Sequence, residues 1–227
     1  MNEPLSRTMT SQIMARIREK IIAGDYSPGA PLLQDSIAAE FGVSKIPVRE
    51  ALVQLKSEGL VDIFAHRGFQ VRPVSLAEMQ EVFSLRLAIE PAAVAEGARR
   101  ATAEDRAAAA ATLSALNRAL ADGDLRSSGD LNSQFHLRLI VPRLQLVTSE
   151  TLARLHTVSQ RYVRMHLRPP GRVKRATKEH TALYEAWAAK KIKDARGLCE
   201  EHIKETCEEL SEALSPRLGE ARKGGVA

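Results

Sequence analysis

From Ser75 to Leu214 the sequence carries one regular signal: apolar residues recur every three or four positions, and no alternating β-branched run interrupts them. A stretch this long with a single period confines most of the 227-residue chain to a bundle of helices. Predicted helices cover 76–100, with a kink at Pro91, then 103–121, 128–140, 144–167, 173–190 and 194–214. "SLAE", Ser75 to Glu78, opens the first of them as a capping box. "ADGD", "VPRL" and "RPPGR" supply the breaks. The abundance of Ala, Leu, Arg and Glu suits helices, and aromatics are only 4% of the chain. Residues 215–227, ending "RLGEARKGGVA", are expected to be a disordered tail.

Residues 9–74 follow a different pattern. Ile13, Ile17, Ile21 and Ile22 recur at helical spacing behind Thr10, a candidate N-cap, and "AGDYSPGA" stops that helix. A short amphipathic helix spans 34–41 and ends at Gly42. A second opens at Ser44 and runs to about Glu58 before Gly59. "LVDIFAHRGFQVRPV" then reads as a small β-hairpin turning at "HRG". Helix, short helix, four-residue turn, helix and hairpin together make a winged helix-turn-helix. The expected fold is therefore mainly α: a winged helix-turn-helix over 9–74 joined to an all-helical domain over 75–214.

The start of the helix at 44 is chemically pointed. Pro47 has no amide hydrogen and falls in the first turn, where amides lack intrahelical partners. Lys45, Arg49 and Lys56 share one face, and Val48, Ala51, Leu52 and Leu55 form the opposite stripe. Cations leading into a groove, backed by an apolar face, suit phosphate and base contact. His66, Arg67 and Gly68 sit at the tip of the wing, placed for a minor groove or phosphates. The plainer reading is a solvated basic face. Net charge does not decide between them: residues 1–74 hold nine Lys/Arg against eight Asp/Glu.

"PGAPLLQDSIAAEFGVSKIPVREALVQLKSEGLV", residues 28–61, closely resembles the N-terminal domain of GntR-family bacterial transcription regulators. The resemblance implies that Ser44, Lys45, Pro47, Arg49, His66, Arg67 and Gly68 lie at DNA. Two positions depart from the family wording. Lys45 stands where Arg is usual, and Lys lacks the planar fork that grips guanine bidentately. Asp35 stands where several members carry a DNA-touching Arg, which implies a shifted operator preference.

The helical remainder resembles the FadR-type effector domain of that family, called FCD. The likeness is carried by "LRLAIEPAA", "NSQFHLRL", "EHTALYEAW" and "DARGLCEEHI". In many members an Asp and three His from these segments hold a divalent metal. The matching positions are Asn132, His136, His180 and His202, so the resemblance implies a site for Zn²⁺, Ni²⁺ or a similar ion. Asn132 replaces the carboxylate, and an amide oxygen brings no charge to offset a dication. The alternative is a polar pocket of neutral histidines that binds an anionic effector directly. Asp130 is no substitute, being turned about 200° away on the helix. His66, His156 and His166 are expected at the wing, surface or core, with no metal role.

Arg86 matches an arginine that faces the effector pocket in several FCD regulators; it either clamps a carboxylate or pairs with Glu90 one turn on. Arg161 and Arg164 open a run of seven cations without an acid, read either as a solvated surface or as further effector contacts. The chain is thus expected to be a ligand-responsive transcription regulator. It would act as a homodimeric repressor on a double-stranded palindromic operator, with a small sugar acid or hydroxy acid as effector. The alternatives are a metal-dependent enzyme built on the three histidines, for which no dedicated nucleophile is present, and a metal sensor. Cys199 and Cys207, about 12 Å apart along one predicted helix, are too distant for a disulfide and are expected to be inert. No apolar run is long enough to cross a bilayer and the N-terminus lacks a signal-peptide core, so a cytoplasmic protein without membrane contact is expected.

Overall fold

A computed structural model describes residues 9–65, 68–141, 144–166 and 171–223, and within these the side chains of Leu125, of 164–166 and of 216–223 are left aside. The chain divides between Val74 and Ser75 into two compact units. Among the described residues the first unit runs α1 (Met9–Ala23), β1 (Pro31–Leu32), α2 (Gln34–Phe41), α3 (Lys45–Ser57), β2 (Val61–Phe64) and β3 (Gly68–Val71). The second runs α4 (Leu76–Arg100), α5 (Ala103–Ala121), α6 (Leu125–Leu139), α7 (Leu146–His166), α8 (Arg172–Ala188) and α9 (Ile192–Lys223).

In the first unit the apolar stripes close on one another. Ile13, Ile17 and Ile21 of α1 pack with Val48, Ala51, Leu52 and Leu55 of α3, and every one of these is buried. Gly42 makes the turn between α2 and α3 possible. It adopts the left-handed conformation, φ 66°, and its N–H donates to the carbonyls of Ala38 and Ala39. The wing is a three-stranded antiparallel sheet in the order β1-β3-β2 rather than a two-stranded hairpin. Pro31 and Leu32 pair with Gln70 and Phe69. Thr10 is not an N-cap: α1 already begins at Met9, and the Thr10 hydroxyl donates to Glu50 Oε2 at 2.8 Å.

In the second unit α4 packs against α7, α8 and α9, while α5 packs on α6 and α8 on α9. Half of the predicted capping box at its start forms. Ser75 Oγ accepts from the Glu78 N–H, but the Ser75 N–H donates to Tyr162 Oη, which itself donates to Glu78 Oε2 at 2.6 Å. Tyr162 thereby ties the first turn of α4 to α7. A complete box forms at α5 between Thr102 and Asp105. α4 continues as helix through Pro91. Three residues before its end Gly97 meets the last turn of α6 so closely that a Cβ there would lie 1.9 Å from the Leu139 carbonyl oxygen. The same carbonyl accepts from Trp187 Nε1 at 2.8 Å, so it is held from two sides. α9 runs to Lys223, into the stretch expected as a tail from residue 215, and residues 224–227 lie outside the described residues.

Candidate functional site

The histidine cluster lies inside the second unit. His136 comes from α6, His180 from α8, His202 from α9 and His156 from α7. His136 and His180 are buried, and their ring centroids are 5.3 Å apart. His202 completes the group at 5.2 Å from His136 and 4.7 Å from His180. Each of the three offers one ring nitrogen within 4.8 Å of the others. Three helices thus bring imidazole nitrogens close enough together to share one cation.

Two carboxylates stand behind the imidazoles. His136 Nδ1 lies 2.7 Å from Glu90 Oε1, close but off-line for a hydrogen bond. His202 Nδ1 lies 2.7 Å from Glu179 Oε2. A carboxylate on one ring nitrogen favours the tautomer whose other nitrogen is a lone-pair ligand. His136 Nε2 and both nitrogens of His180 are buried and have no hydrogen-bond partner among the described residues. Such orphaned groups are costly unless something fills their need. The donor set therefore fits a divalent cation. Glu90 and Glu179, one shell out, supply negative charge that Asn132 does not.

Burial disfavours the charged form of two of the imidazoles, His180 and His156. Burial pushes the His180 proton off, and His202, His136 and Arg86 add to that, so its pKa falls well below the ordinary value. Burial, with Arg86 beside it, brings His156 down to about 4. Glu90 shows the opposite balance. Burial alone would raise its pKa, but Arg86, His156 and His136 outweigh it and hold the carboxyl well below the usual range. Glu90 is in fact the hub of a buried network. It accepts from Arg86 Nε at 2.9 Å and lies 3.2 Å from His156 Nε2.

The cluster opens on a cavity lined in part by His180, His202, Asn132, Glu179, Arg86 and Arg175. Asn132, His180 and His202 line this one cavity, whereas His136 is not among its lining residues. Arg86 pairs with Glu90, the second of its two sequence-based readings, and it also lines the cavity. Arg161 is buried but faces Glu78, 3.8 Å away, and is not part of the lining. The Arg164 side chain falls outside the described set. Sequence reasoning missed Glu90 and His156 as members of the cluster. The available signal was the Arg86–Glu90 spacing of four inside an apolar stretch, which marks a buried pair only once the packing is known.

The other candidate surface is the start of α3. Ser44 is the N-cap by position, without a side-chain capping bond, so Pro47 is the third helical residue. Lys45 and Arg49 are exposed, with Val48 buried behind them. Lys45 Nζ lies 2.5 Å from Asp35 Oδ1, which joins the two departures from the family wording into one pair. Ile46 is 71% exposed between them, an apolar side chain that the sequence reading passed over. Gly68 is exposed at the wing with φ 77°. His66 and Arg67 lie outside the described residues.

Fold and site together define a winged-helix protein carrying a ligand-type cavity in a helical bundle. Comparison with known proteins gives the same class. Residues 9–71 match the family model of bacterial regulatory proteins of the gntR family, and residues 81–205 match the FCD domain. An uncharacterized HTH-type transcriptional regulator, BphR of Paraburkholderia xenovorans, is 30% identical over 207 residues, covering 87% of this chain and 83% of that one. The HTH-type transcriptional regulator McbR of Escherichia coli is 29% identical over 132 residues, 58% of this chain and 60% of its own. The solved structure of E. coli McbR/YncC superposes with a TM-score of 0.79 at 23% identity, covering 90% of this chain and 98% of that one. A putative GntR regulator from Rhodococcus gives 0.74 at 23% identity, over 88% and 96%. The chain belongs to the GntR family of bacterial transcriptional regulators, with a winged helix-turn-helix DNA-binding domain and an FCD effector-binding domain. Its relatives are regulators rather than enzymes. Among the described residues no helix is long and apolar enough to cross a membrane.

Proposed function

We propose that this regulator works as a homodimer on a palindromic operator and is controlled by a small organic acid held in the helical unit beside a divalent cation such as Zn²⁺ or Ni²⁺. One observation carries the proposal: the imidazoles of His136, His180 and His202 converge from three helices within reach of one cation, and buried nitrogens of His136 and His180 have no hydrogen-bond partner among the described residues. His136, His180 and His202 would hold the cation, with Asn132 beside them. A bound dication supplies a Lewis-acidic centre for the carboxylate and α-oxygen of an acid. Glu90 and Glu179 orient His136 and His202, and Arg86 adds positive charge to the cavity wall. At the DNA end, Lys45 and Arg49 would grip phosphate or guanine from the start of α3. Ser44 and Pro47 lie at that start, and His66, Arg67 and Gly68 of the wing would meet the flanking backbone. Ile46 is placed to meet a thymine methyl.

The acid acts by binding one arrangement of the two DNA-binding units better than another. The test is to select DNA from a random pool with the full-length protein, then follow binding by fluorescence anisotropy with metal and hydroxy acids added singly and together. The proposal expects two-fold symmetric selected sites, and a change in DNA affinity on adding acid to the metal-loaded protein. A change with metal alone that no acid alters would make the chain a metal sensor instead.

A further inference from the structure

The start of α3 stands beside an acid. Lys45 is the first residue of that helix, and its Nζ lies 2.5 Å from Oδ1 of Asp35 in the first turn of α2. Both side chains are exposed, Lys45 by 66% and Asp35 by 73%. Neither belongs to the core that Val48, Ala51, Leu52 and Leu55 help to close. An ion pair this exposed contributes little to stability, so the fold has no need of it. At a DNA surface it also works against affinity. Duplex DNA carries one negative charge per ~1.7 Å of axis, and a carboxylate beside it is repelled.

The effect of the pair differs between wrong and right sequences. Non-specific binding is nearly all electrostatic. A lysine ammonium, free on its flexible stem, finds a phosphate in any sequence. Asp35 cancels that attraction and restrains the stem. A contact to a base edge needs direction more than net charge. The ammonium has three donors, so with one taken by Asp35 two remain for the O6 and N7 acceptors of guanine. We infer that Asp35 is a positioning residue for sequence readout: it holds the Lys45 ammonium off the phosphates and aims it at a guanine in the major groove. The inference rests on the reading of the start of α3 as the base-contacting surface. Ile46 fits the same assignment. It is 71% exposed next to Lys45, brings no charge to a phosphate and offers an apolar contact to a base edge. Two neighbours at the tip of the helix thus forgo sequence-blind attraction, and discrimination comes partly from weakening the wrong complexes.

The test compares the full-length protein with Asp35→Asn, Lys45→Ala and the double variant by fluorescence anisotropy on two duplexes. One is a site selected from a random pool by the unaltered protein, and the other is its scrambled counterpart. Asp35→Asn is expected to tighten the scrambled duplex by about tenfold and the selected one by about threefold, so their ratio falls by about threefold. Selection repeated with Asp35→Asn should relax the preference at one guanine position, and selection with Lys45→Ala should lose it. In the Lys45→Ala background Asp35→Asn should leave the ratio unchanged, because Asp35 acts through the lysine. Since both side chains are exposed, all variants should melt with the unaltered protein. Equal tightening of both duplexes, or the same guanine preference in every variant, would overturn the inference while leaving α3 at the DNA. If neither substitution changes DNA binding at all, the reading of the α3 start fails and this inference with it.

Discussion

In the winged-helix unit the residues proposed to meet a partner stand outside the core, whereas in the helical unit they are part of it. The first unit's core, from Ile13 to Val71, is apolar throughout, and Lys45 and Arg49 project from its far side. The second unit buries Arg86, Glu90, His136, His156 and His180 among its leucines and valines. The difference has a physical cost. Exposed cations are hydrated whether or not DNA is present, so they ask nothing of the fold. Buried ones must be paired, and the Arg86–Glu90–His network is that pairing. Removing a partner-facing residue should therefore leave the first unit's stability intact and damage the second's.

The largest effect is expected at Glu90. Glu90→Ala leaves Arg86 buried without its counter-charge and should destabilise the helical unit by about 3–5 kcal/mol. Trp187 is the chain's one tryptophan and is buried in that unit, so its fluorescence in a urea titration reports on it alone. A change below about 1 kcal/mol would break the comparison.

Acid should separate the units next. His156 titrates near 4 in the folded chain, against 6.5 ordinarily, faced by Arg86 and Glu90 from α4 and His136 from α6. The unfolded state binds the proton first, so this stability is present above pH 6.5 and drains as pH falls toward 4. The loss is about 3 kcal/mol from His156, and His180 shifts in the same direction. Glu90, whose pKa is depressed, contributes stability that goes at lower pH still. Among the described residues the first unit buries no carboxylate, histidine, lysine or arginine. Trp187 emission should lose its native position in that window before far-UV circular dichroism reports loss of the remaining helices.

At the DNA surface the expected losses are in affinity, not stability. Lys45→Ala and Arg49→Ala should each shift the unfolding free energy by less than about 0.5 kcal/mol. Each should weaken DNA binding and reduce the slope of log affinity against log salt by about 1. Smallest is Asp35→Asn, which frees Lys45 from an exposed pair that stabilises little. Binding should tighten by a few-fold and become more salt-dependent, as electrophoretic mobility shifts across a salt series would show.

How much of this was legible in the chain depends on range in sequence. Local signals carried well. The three-residue start at Ser44, the left-handed Gly42 and the break at "ADGD" are each set within one turn of backbone. Features made by distant partners did not carry. β1 is two residues long and exists because β3 lies beside it. The capping box at Ser75 was half displaced by Tyr162, 87 positions away. α9 runs past Pro216, where a proline after the last periodic leucine reads as a stop. In the site, the resemblance located His136, His180 and His202. It gave no hint that Glu90 and His156 would join them, since periodicity says which face is buried and not which polar groups meet there.

The most direct measurement is the melting temperature of chelator-stripped protein with and without added Zn²⁺ or Ni²⁺. A ligand bound only by the native state raises it by mass action. The account predicts a rise of about 5 °C or more at saturating metal, abolished in His180→Ala. No rise, or an equal rise in His180→Ala, would contradict the claim that these three histidines form a metal centre.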